Sequence, residues 1–154
     1  MWTRDESTLK PDPDAFMQRN LYMGVFLTAP VPGNDHCLLP SPWADKQYLD
    51  YGPLFKALRG RKWVLAPHVI ESEKAALANV FEVPGGYVVV VALAGARSAV
   101  RLKLRNLELR EFKVESIVPG ETNWKSLPIT TSRTTTDMDV PVKRGCAVVR
   151  FVRR

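Results

Sequence analysis

The sequence has few of the side chains that carry metal or redox chemistry. It contains only two cysteines, Cys37 and Cys146, and only two histidines, His36 and His68. The cysteines have neither the paired spacing of a zinc site nor the density of a disulfide scaffold. We therefore predict no metal and no cofactor. We interpret both cysteines as buried thiols, because free cysteine is among the most buried residue types.

Long apolar runs are also missing. No stretch approaches the roughly 18 apolar residues that a membrane-spanning helix needs, so we predict no membrane partner. The hydrophobic fraction is 45% and the charged fraction is 25%, as in ordinary globular proteins. A chain of 154 residues is long enough to bury one core. The composition therefore favours a folded protein over a disordered one.

Proline and charge are unevenly distributed along the chain. Seven of the 12 prolines fall in the first 53 residues, and the formal charge is −1 over residues 1–60 and +7 over residues 61–154. Proline lacks an N–H group and restricts the residue before it. We therefore expect the first 45 residues to form an arm and loops around one short strand at residues 22–27. The charge and proline patterns predict an N-terminal region, 1–60, followed by a β domain, 61–154.

One short helix is predicted near the end of the N-terminal region. Pro53 suits the first turn of a helix, and Gly60 suits a left-handed C-cap. Between them, Leu54, Phe55 and Leu58 fall on one helical face. The helix is expected to end near Arg59, and an earlier start at Asp45 with a bend at Gly52 and Pro53 is the alternative.

The sequence after Lys62 has the two-residue period of β-strands. In the stretch AVRLKLR, residues 99–105, apolar and basic side chains alternate, as in a half-buried strand. The stretch YVVVVAL, residues 87–93, is apolar on both faces and predicts a central strand that is covered twice. Further strands are predicted at residues 62–69, 76–83, 112–118, 129–135, 138–142 and 147–152, and a turn at 143–145 would close the last hairpin.

This pattern predicts the fold class. Short strands separated by turns, without helices between them, favour an antiparallel arrangement over a parallel sheet. We predict a mainly β protein, an antiparallel β-sandwich that is Greek-key-like with seven or eight strands, preceded by an N-terminal arm and one short helix.

The segment VPGNDHC, residues 31–37, places Asp35, His36 and Cys37 side by side. Pro-Gly-Asn-Asp is typical turn chemistry, in which the Asn and Asp side chains bond their own backbone. General acid–base catalysis also needs a second positioned group. The segment is therefore interpreted as a turn, or as a rim that contacts substrate, in preference to an independent catalytic site.

Asp45 and Asp50 are candidates for a pair of catalytic carboxylates. They are five residues apart, which places them on different faces of a helix, whereas two carboxylates that act on one bond must flank it. Helix capping explains Asp45 more simply. We predict no catalytic residue in this chain.

Aromatic side chains often contact ligands, so Trp43, Trp63, Tyr87 and Trp124 are candidates for a binding site. Trp63 and Tyr87 lie inside strand patterns, which indicates core positions. Trp124 lies in GETNWKS, between turn residues. It is the better candidate for a ligand contact.

The positive charge of the second region raises the possibility of a nucleic-acid partner. The basic candidates are Arg97, Arg101, Lys103, Arg105, Arg150, Arg153 and Arg154. Alternating basic residues are, however, the ordinary solvent face of a strand, and Glu108, Glu111 and Glu115 follow closely. No RNP-like aromatic pair accompanies them. A small nucleic-acid-binding domain therefore stays the second alternative, and a steep loss of affinity with salt would identify it.

The order of these elements resembles the C-terminal region of multidomain glycoside hydrolases. YLDYGPLFKALRGRKWVL, residues 48–65, resembles the junction between the last helix of a (β/α)8 barrel and a C-terminal β-sandwich. The preceding NLYMGVFLTAPVPGND, residues 20–35, is similar to the eighth barrel strand and its loop. DVPVKRGCAVVRF, residues 139–151, resembles the final hairpin of the accessory domain.

The resemblance implies a non-catalytic accessory domain that supports a catalytic barrel, either in cis or in trans. Catalytic carboxylates in such enzymes lie on earlier barrel strands, so we do not expect this chain to be active alone. Asn34, Asp35 and His36 would lie on the loop at the substrate face of the barrel. Together with Trp124 they are the predicted substrate-binding residues.

The same resemblance implies a cover for the N-terminal apolar surface, formed by residues 22–27 and the face of Leu54, Phe55 and Leu58. A barrel would provide it; otherwise these residues would fold back on the sandwich or drive self-association, because large exposed apolar patches seldom persist on monomers. The main alternative function is a stand-alone carbohydrate-binding module that uses Trp124.

Overall fold

Helix α1 (Pro13–Tyr22) is the first element of the computed structural model, which describes residues 12–26, 42–74, 76–109 and 111–153. The Asp12 side chain caps the helix by accepting a hydrogen bond from the Ala15 amide at 2.8 Å. Proline at the next position suits a helix start, because its missing N–H group would have no helical partner. Part of the segment that we predicted to be an arm is therefore a helix that begins at Pro13.

Gly24 ends α1 in the left-handed conformation, with φ of +63°. Its amide donates to the Leu21 carbonyl at 2.9 Å, and the Val25 amide donates to the Asn20 carbonyl at 2.8 Å, which is a Schellman motif. The predicted strand at residues 22–27 is therefore wrong over its described part, and so is the likeness of residues 20–26 to a barrel strand. The apolar residues there belong to a helix end and the turn after it.

Helix α2 (Pro42–Ala57) runs through Pro53 instead of starting there, so the alternative of an earlier start is confirmed. Gly60 follows with φ of +72°, as predicted for a left-handed C-cap. Tyr51, Leu54 and Leu58 are fully buried. The described residues thus contain two helices where the sequence predicted one.

The described residues form ten strands in two antiparallel sheets, and the mainly β sandwich class is confirmed. The six-stranded sheet has the order β1-β3-β4-β10-β6-β7, and the four-stranded sheet has the order β2-β5-β9-β8. The strands are β1 (Lys62–Trp63), β2 (Ile70–Ser72), β3 (Leu77–Val83), β4 (Gly86–Ala92), β5 (Ala99–Arg105), β6 (Phe112–Ile117), β7 (Lys125–Ser126), β8 (Thr130–Thr131), β9 (Thr135–Pro141) and β10 (Ala147–Arg153). Four of them have only two or three residues, which explains why sequence periodicity undercounted the strands.

Strand β4 lies at the centre of three layers. Val89 and Val91 face the four-stranded sheet and join the core between the sheets. Val88 and Val90 face the other way and pack in a second core with Phe16, Met17, Leu21, Tyr51, Leu54 and Leu58 of the two helices. The prediction of a strand covered on both faces is confirmed, and the second cover is the pair of helices.

The segment after β9 crosses from one sheet to the other. Strand β9 belongs to the four-stranded sheet and β10 to the six-stranded sheet. Lys143 and Cys146 exchange two backbone hydrogen bonds of 3.1 Å around a tight turn. The turn at 143–145 was predicted correctly, but the expected hairpin of two paired strands is wrong.

Candidate functional site

Of the four predicted substrate-binding residues, the structure describes Trp124. Asn34, Asp35 and His36 lie outside the described residues, as does Cys37. Trp124 is half-buried just before β7 and packs against the helix-facing core. The Arg150 guanidinium carbon lies 4.1 Å from the centre of its ring, which is a cation–π contact. An arginine therefore lies over one face of the Trp124 ring.

Arg150 is held in place by a carboxylate. Its Nε donates to Glu115 Oε2 at 2.8 Å, and Lys113 Nζ lies 2.6 Å from the other oxygen of Glu115. The hydrogen bond from Lys113, with a smaller contribution from Arg150, lowers the pKa of Glu115 despite its burial. A sugar could stack on this face of Trp124 only after Arg150 had moved away from its partner.

The other aromatic candidates are Trp63, Tyr87 and Trp43, and only part of their prediction holds. Trp63 is 48% exposed and meets Phe81 edge-on, with 5.1 Å between ring centres. The predicted core position of Trp63 is wrong, because β1 is a two-residue strand at the sheet edge. Tyr87 is half-buried and packs against the core between the sheets. The side chain of Trp43 lies outside the described residues.

The largest polar cluster that we find in the described part was not predicted. Arg144, in the turn between the sheets, binds both helices; we call this cluster the Arg144 clamp. Its Nε donates to Asp14 Oδ2 of α1 at 2.9 Å, and a terminal nitrogen donates to Asp50 Oδ2 of α2 at 2.6 Å. The other terminal nitrogen donates to Gln47 Oε1 at 2.7 Å and to Asp14. One side chain thus joins two helices to the sandwich.

Gln18 extends the clamp beneath Arg144 and is almost fully buried. Its side-chain nitrogen donates to the Arg144 carbonyl at 2.6 Å, and its side-chain oxygen accepts from the Leu93 amide at 2.7 Å. The Tyr51 hydroxyl donates to Asp14 at 3.0 Å. Burial raises the pKa of Tyr51, so the hydroxyl keeps the proton that it donates.

The charges of the clamp are those of a structural ion-pair cluster. The hydrogen bond from Lys46, followed by that from Arg144, lowers the pKa of Asp50. The hydrogen bond to Asp14 raises the pKa of Arg144. A general acid needs a raised carboxyl pKa, and the Asp50 shift is in the opposite direction. Asp45 is exposed one turn earlier on α2, and the clamp does not include it.

Cys146 lies next to the clamp and is completely buried as a free thiol. Burial raises the pKa of this thiol, and the nearby Asp14 adds to the shift. A thiol that stays protonated is a poor nucleophile and a poor metal ligand. The prediction of a buried thiol is confirmed for Cys146.

The described residues contain neither a cluster of metal ligands nor a membrane-spanning helix. Within residues 12–26, 42–74, 76–109 and 111–153, no three histidine, cysteine, aspartate or glutamate side chains are grouped closely enough to hold a metal ion. Neither helix in this part of the chain is long and apolar enough to cross a membrane.

The predicted solvent face of β5 is confirmed, and its basic residues are paired. Arg101 Nε lies 3.0 Å from Asp139, Lys103 lies 3.6 Å from Asp137, and Arg105 Nε lies 2.9 Å from Glu71. These carboxylates come from the neighbouring strands β9 and β2. The pairing leaves little unbalanced positive charge on this face for a nucleic-acid backbone.

Comparison with known proteins gives a likeness at the level of fold. No protein-family model matches the sequence, and no curated protein matches it. Among solved structures, the chain is similar to a GH30 endoxylanase from Clostridium papyrosolvens C71, with 13% identity and a TM-score of 0.55 over 100% of this chain and 40% of that one. It is also similar to Xyn30A, a glycoside hydrolase family 30 subfamily 8 xylanase from Clostridium acetobutylicum, with 9% identity and a TM-score of 0.53 over 100% of this chain and 41% of that one. The chain thus spans about 40% of the length of these xylanases and shares the fold of that part.

Proposed function

We propose that this chain is a non-catalytic C-terminal β-sandwich accessory domain of a glycoside-hydrolase-like protein, and that it supports a catalytic (β/α)8 barrel in cis or in trans. One observation carries the proposal: a sandwich with two helices fixed to its outer face has the fold of about 40% of two solved xylanases. We extend the substrate class of those proteins to the parent protein and propose a xylan.

The clamp supports a mechanical role over a catalytic one. Asp14 of α1 and Asp50 of α2 are both bound to Arg144 of the sandwich. Hydrogen bonds that hold a carboxylate in its charged form stabilise the fold and oppose proton donation. Holding the helices at a fixed position is what a support for a neighbouring domain requires.

The helices also offer a surface for that neighbour. Leu54 and Leu58 are buried against the six-stranded sheet, so they cannot contact a barrel. Met23 and Phe26 after α1, and Leu49 of α2, are large apolar side chains that stay exposed. Large exposed apolar side chains are candidates for a contact with another protein. We therefore assign the barrel contact to these residues.

Co-expression tests the proposal. The chain would be produced together with the product of the reading frame directly upstream in its genome, whether the two are one polypeptide or two. We expect a covalent or 1:1 assembly that hydrolyses xylan, and no hydrolysis by the chain alone. Leu49→Glu should weaken a non-covalent assembly or destabilise a fused one, whereas Leu65→Glu, which changes another exposed leucine outside the helices, should not. Xylan hydrolysis by the isolated chain, or an upstream product without a barrel, would contradict the proposal.

The stand-alone binding module remains the alternative because Trp124 is only half-buried. Trp fluorescence during titration with xylo-oligosaccharides separates the two functions. Binding that survives Trp63→Ala and disappears with Trp124→Ala would favour the module. If Trp fluorescence does not change during the titration while the protein is folded, the binding-module alternative is excluded.

A further inference from the structure

A cleft opens between the two sheets at one end of the sandwich; we call it the end cleft. Its volume is about 890 Å³, and its lining includes Tyr87, Asn106, Glu108, Phe112, Arg133 and Arg153. The connections that follow β5 and β8 contribute most of its polar residues. A second cleft of about 460 Å³ adjoins it and shares Phe112 and Thr131 with it. Together they form an extended groove, and the larger cleft alone falls in the size range of ligand sites.

Three adjacent strands build the apolar floor of the end cleft. Strand β10 pairs Phe151 with Tyr87 of β4, and Arg153 with Phe112 of β6. The Tyr87 and Phe112 rings are 6.0 Å apart at an angle of 52°. The Arg153 guanidinium carbon lies 5.9 Å from the centre of the Phe112 ring. Sheet register therefore places an aromatic pair and a cation side by side.

The rim of the end cleft carries polar side chains with free hydrogen-bonding capacity. Four rim side chains form no hydrogen bond or ion pair with one another or with their neighbours in the described part of the chain. They are Asn106, Glu108, Glu111 and Arg133. The contrast is with β5, where each basic residue has an acidic partner. Donors and acceptors thus remain available around an apolar floor.

We propose that the end cleft binds an oligosaccharide chain. The C–H face of a sugar ring packs on Tyr87, and its hydroxyl groups exchange hydrogen bonds with Asn106, Glu108 and Arg133. These groups match the amphipathic surface of a sugar, which has apolar faces and polar edges. Because the two clefts meet at Phe112 and Thr131, they offer room for more than one sugar unit. The choice of xylan as the probe rests on the proposed function, whereas the site itself does not.

Isothermal titration of the whole chain with xylohexaose tests the proposal. Arg133→Ala and Glu108→Ala change exposed side chains, so both variants should keep the thermal midpoint of the unaltered protein. Each should weaken binding about tenfold, because each removes a hydrogen bond to a charged group. Arg101→Ala, on the outer face of the four-stranded sheet, is the matched control and should leave the affinity unchanged.

Titration with cellohexaose is the second part of the experiment. If cellohexaose binds and xylohexaose does not, with the same dependence on Arg133, the end cleft is supported as a sugar site and the xylan choice is wrong. Absence of heat from both sugars at millimolar concentration overturns the proposal. Binding that is lost with Trp124→Ala and kept with Arg133→Ala also overturns it. These outcomes do not depend on whether an upstream barrel exists, so the two proposals can fail separately.

Discussion

The outer faces of the two sheets have different surroundings. Helices α1 and α2 cover the six-stranded sheet and bury Val88, Val90 and Val148, whereas the four-stranded sheet faces water. Both faces carry arginine–carboxylate pairs. The side chains of Arg144 and Asp50 are 26% and 13% exposed, and those of Arg101 and Asp139 are 70% and 62% exposed.

The comparison teaches that burial decides what an ion pair contributes. Water screens the pairs of the exposed face, and such pairs typically add little to stability. Around Arg144 the carboxylates have lost part of their water, so removing the arginine leaves them without sufficient partners. The same chemistry therefore solubilises one face and fixes two helices on the other.

The largest effect is expected from the apolar packing beneath α2. Leu54 is fully buried against the six-stranded sheet. Leu54→Ala should lower the free energy of unfolding by about 3 kcal/mol, because it removes apolar contacts and leaves a cavity. Urea denaturation measures the loss. Leu49→Ala on the same helix is the control and should change little, since Leu49 is 76% exposed; equal effects would mean that α2 does not pack on the sheet as described.

The next effect tests the clamp. Arg144→Ala should lower the free energy of unfolding by about 2 kcal/mol, as expected when hydrogen bonds between charged groups are lost. Residual exposure keeps this below the cost of breaking a fully buried pair. Chemical denaturation followed by circular dichroism gives the value.

Arg144→Lys sharpens the same test. Lysine keeps the charge but cannot reproduce the planar fork that reaches Asp14, Asp50 and Gln47 together. Its stability should lie between those of the unaltered protein and Arg144→Ala. If Arg144→Ala proves as stable as the unaltered protein, the clamp does not hold the helices.

Acid should lower the stability of the fold because it protonates Asp50. The pKa of this carboxyl is below its ordinary value of 3.8 in the folded protein, chiefly because Lys46 and then Arg144 donate to it. Its contribution to stability is therefore present above pH 3.8 and is lost as the pH falls through the folded-state pKa. Asp50→Asn should be less stable than the unaltered protein at neutral pH, and the difference should shrink below that value. Unfolding curves across the acid range measure it; a difference that does not change with pH would contradict the assignment.

The longer strands of the β part could be predicted because their signals are local. The alternation at β5 and the doubly apolar β4 each follow from a few consecutive residues. Helix α1 also had local signals, since Asp12 and Pro13 mark a start and Gly24 marks an end. The density of prolines near the N-terminus outweighs these signals in a prediction from the sequence alone, although proline at the first position begins a helix.

The clamp and the end cleft had no such signal. Arg144 is separated from Asp14 by 130 positions, and from Asp50 by 94. The turn at 143–145 was predicted, but a turn does not indicate which side chain it directs or towards what. The end cleft depends on the register of β10 with both of its neighbours, which no single strand pattern fixes. Features of this kind come from tertiary packing alone.

The smallest effect is expected on the water-exposed face. Arg101→Ala breaks the pair with Asp139, whose carboxyl has a pKa lowered mainly by the hydrogen bond from Arg101. Because both side chains are mostly exposed, water replaces the lost partner, and the thermal midpoint should shift several-fold less than it does for Arg144→Ala. Measuring both variants in one buffer at low and high salt makes the contrast direct, since salt screens only the exposed pair strongly. If Arg101→Ala costs as much as Arg144→Ala, burial is not what separates the two faces.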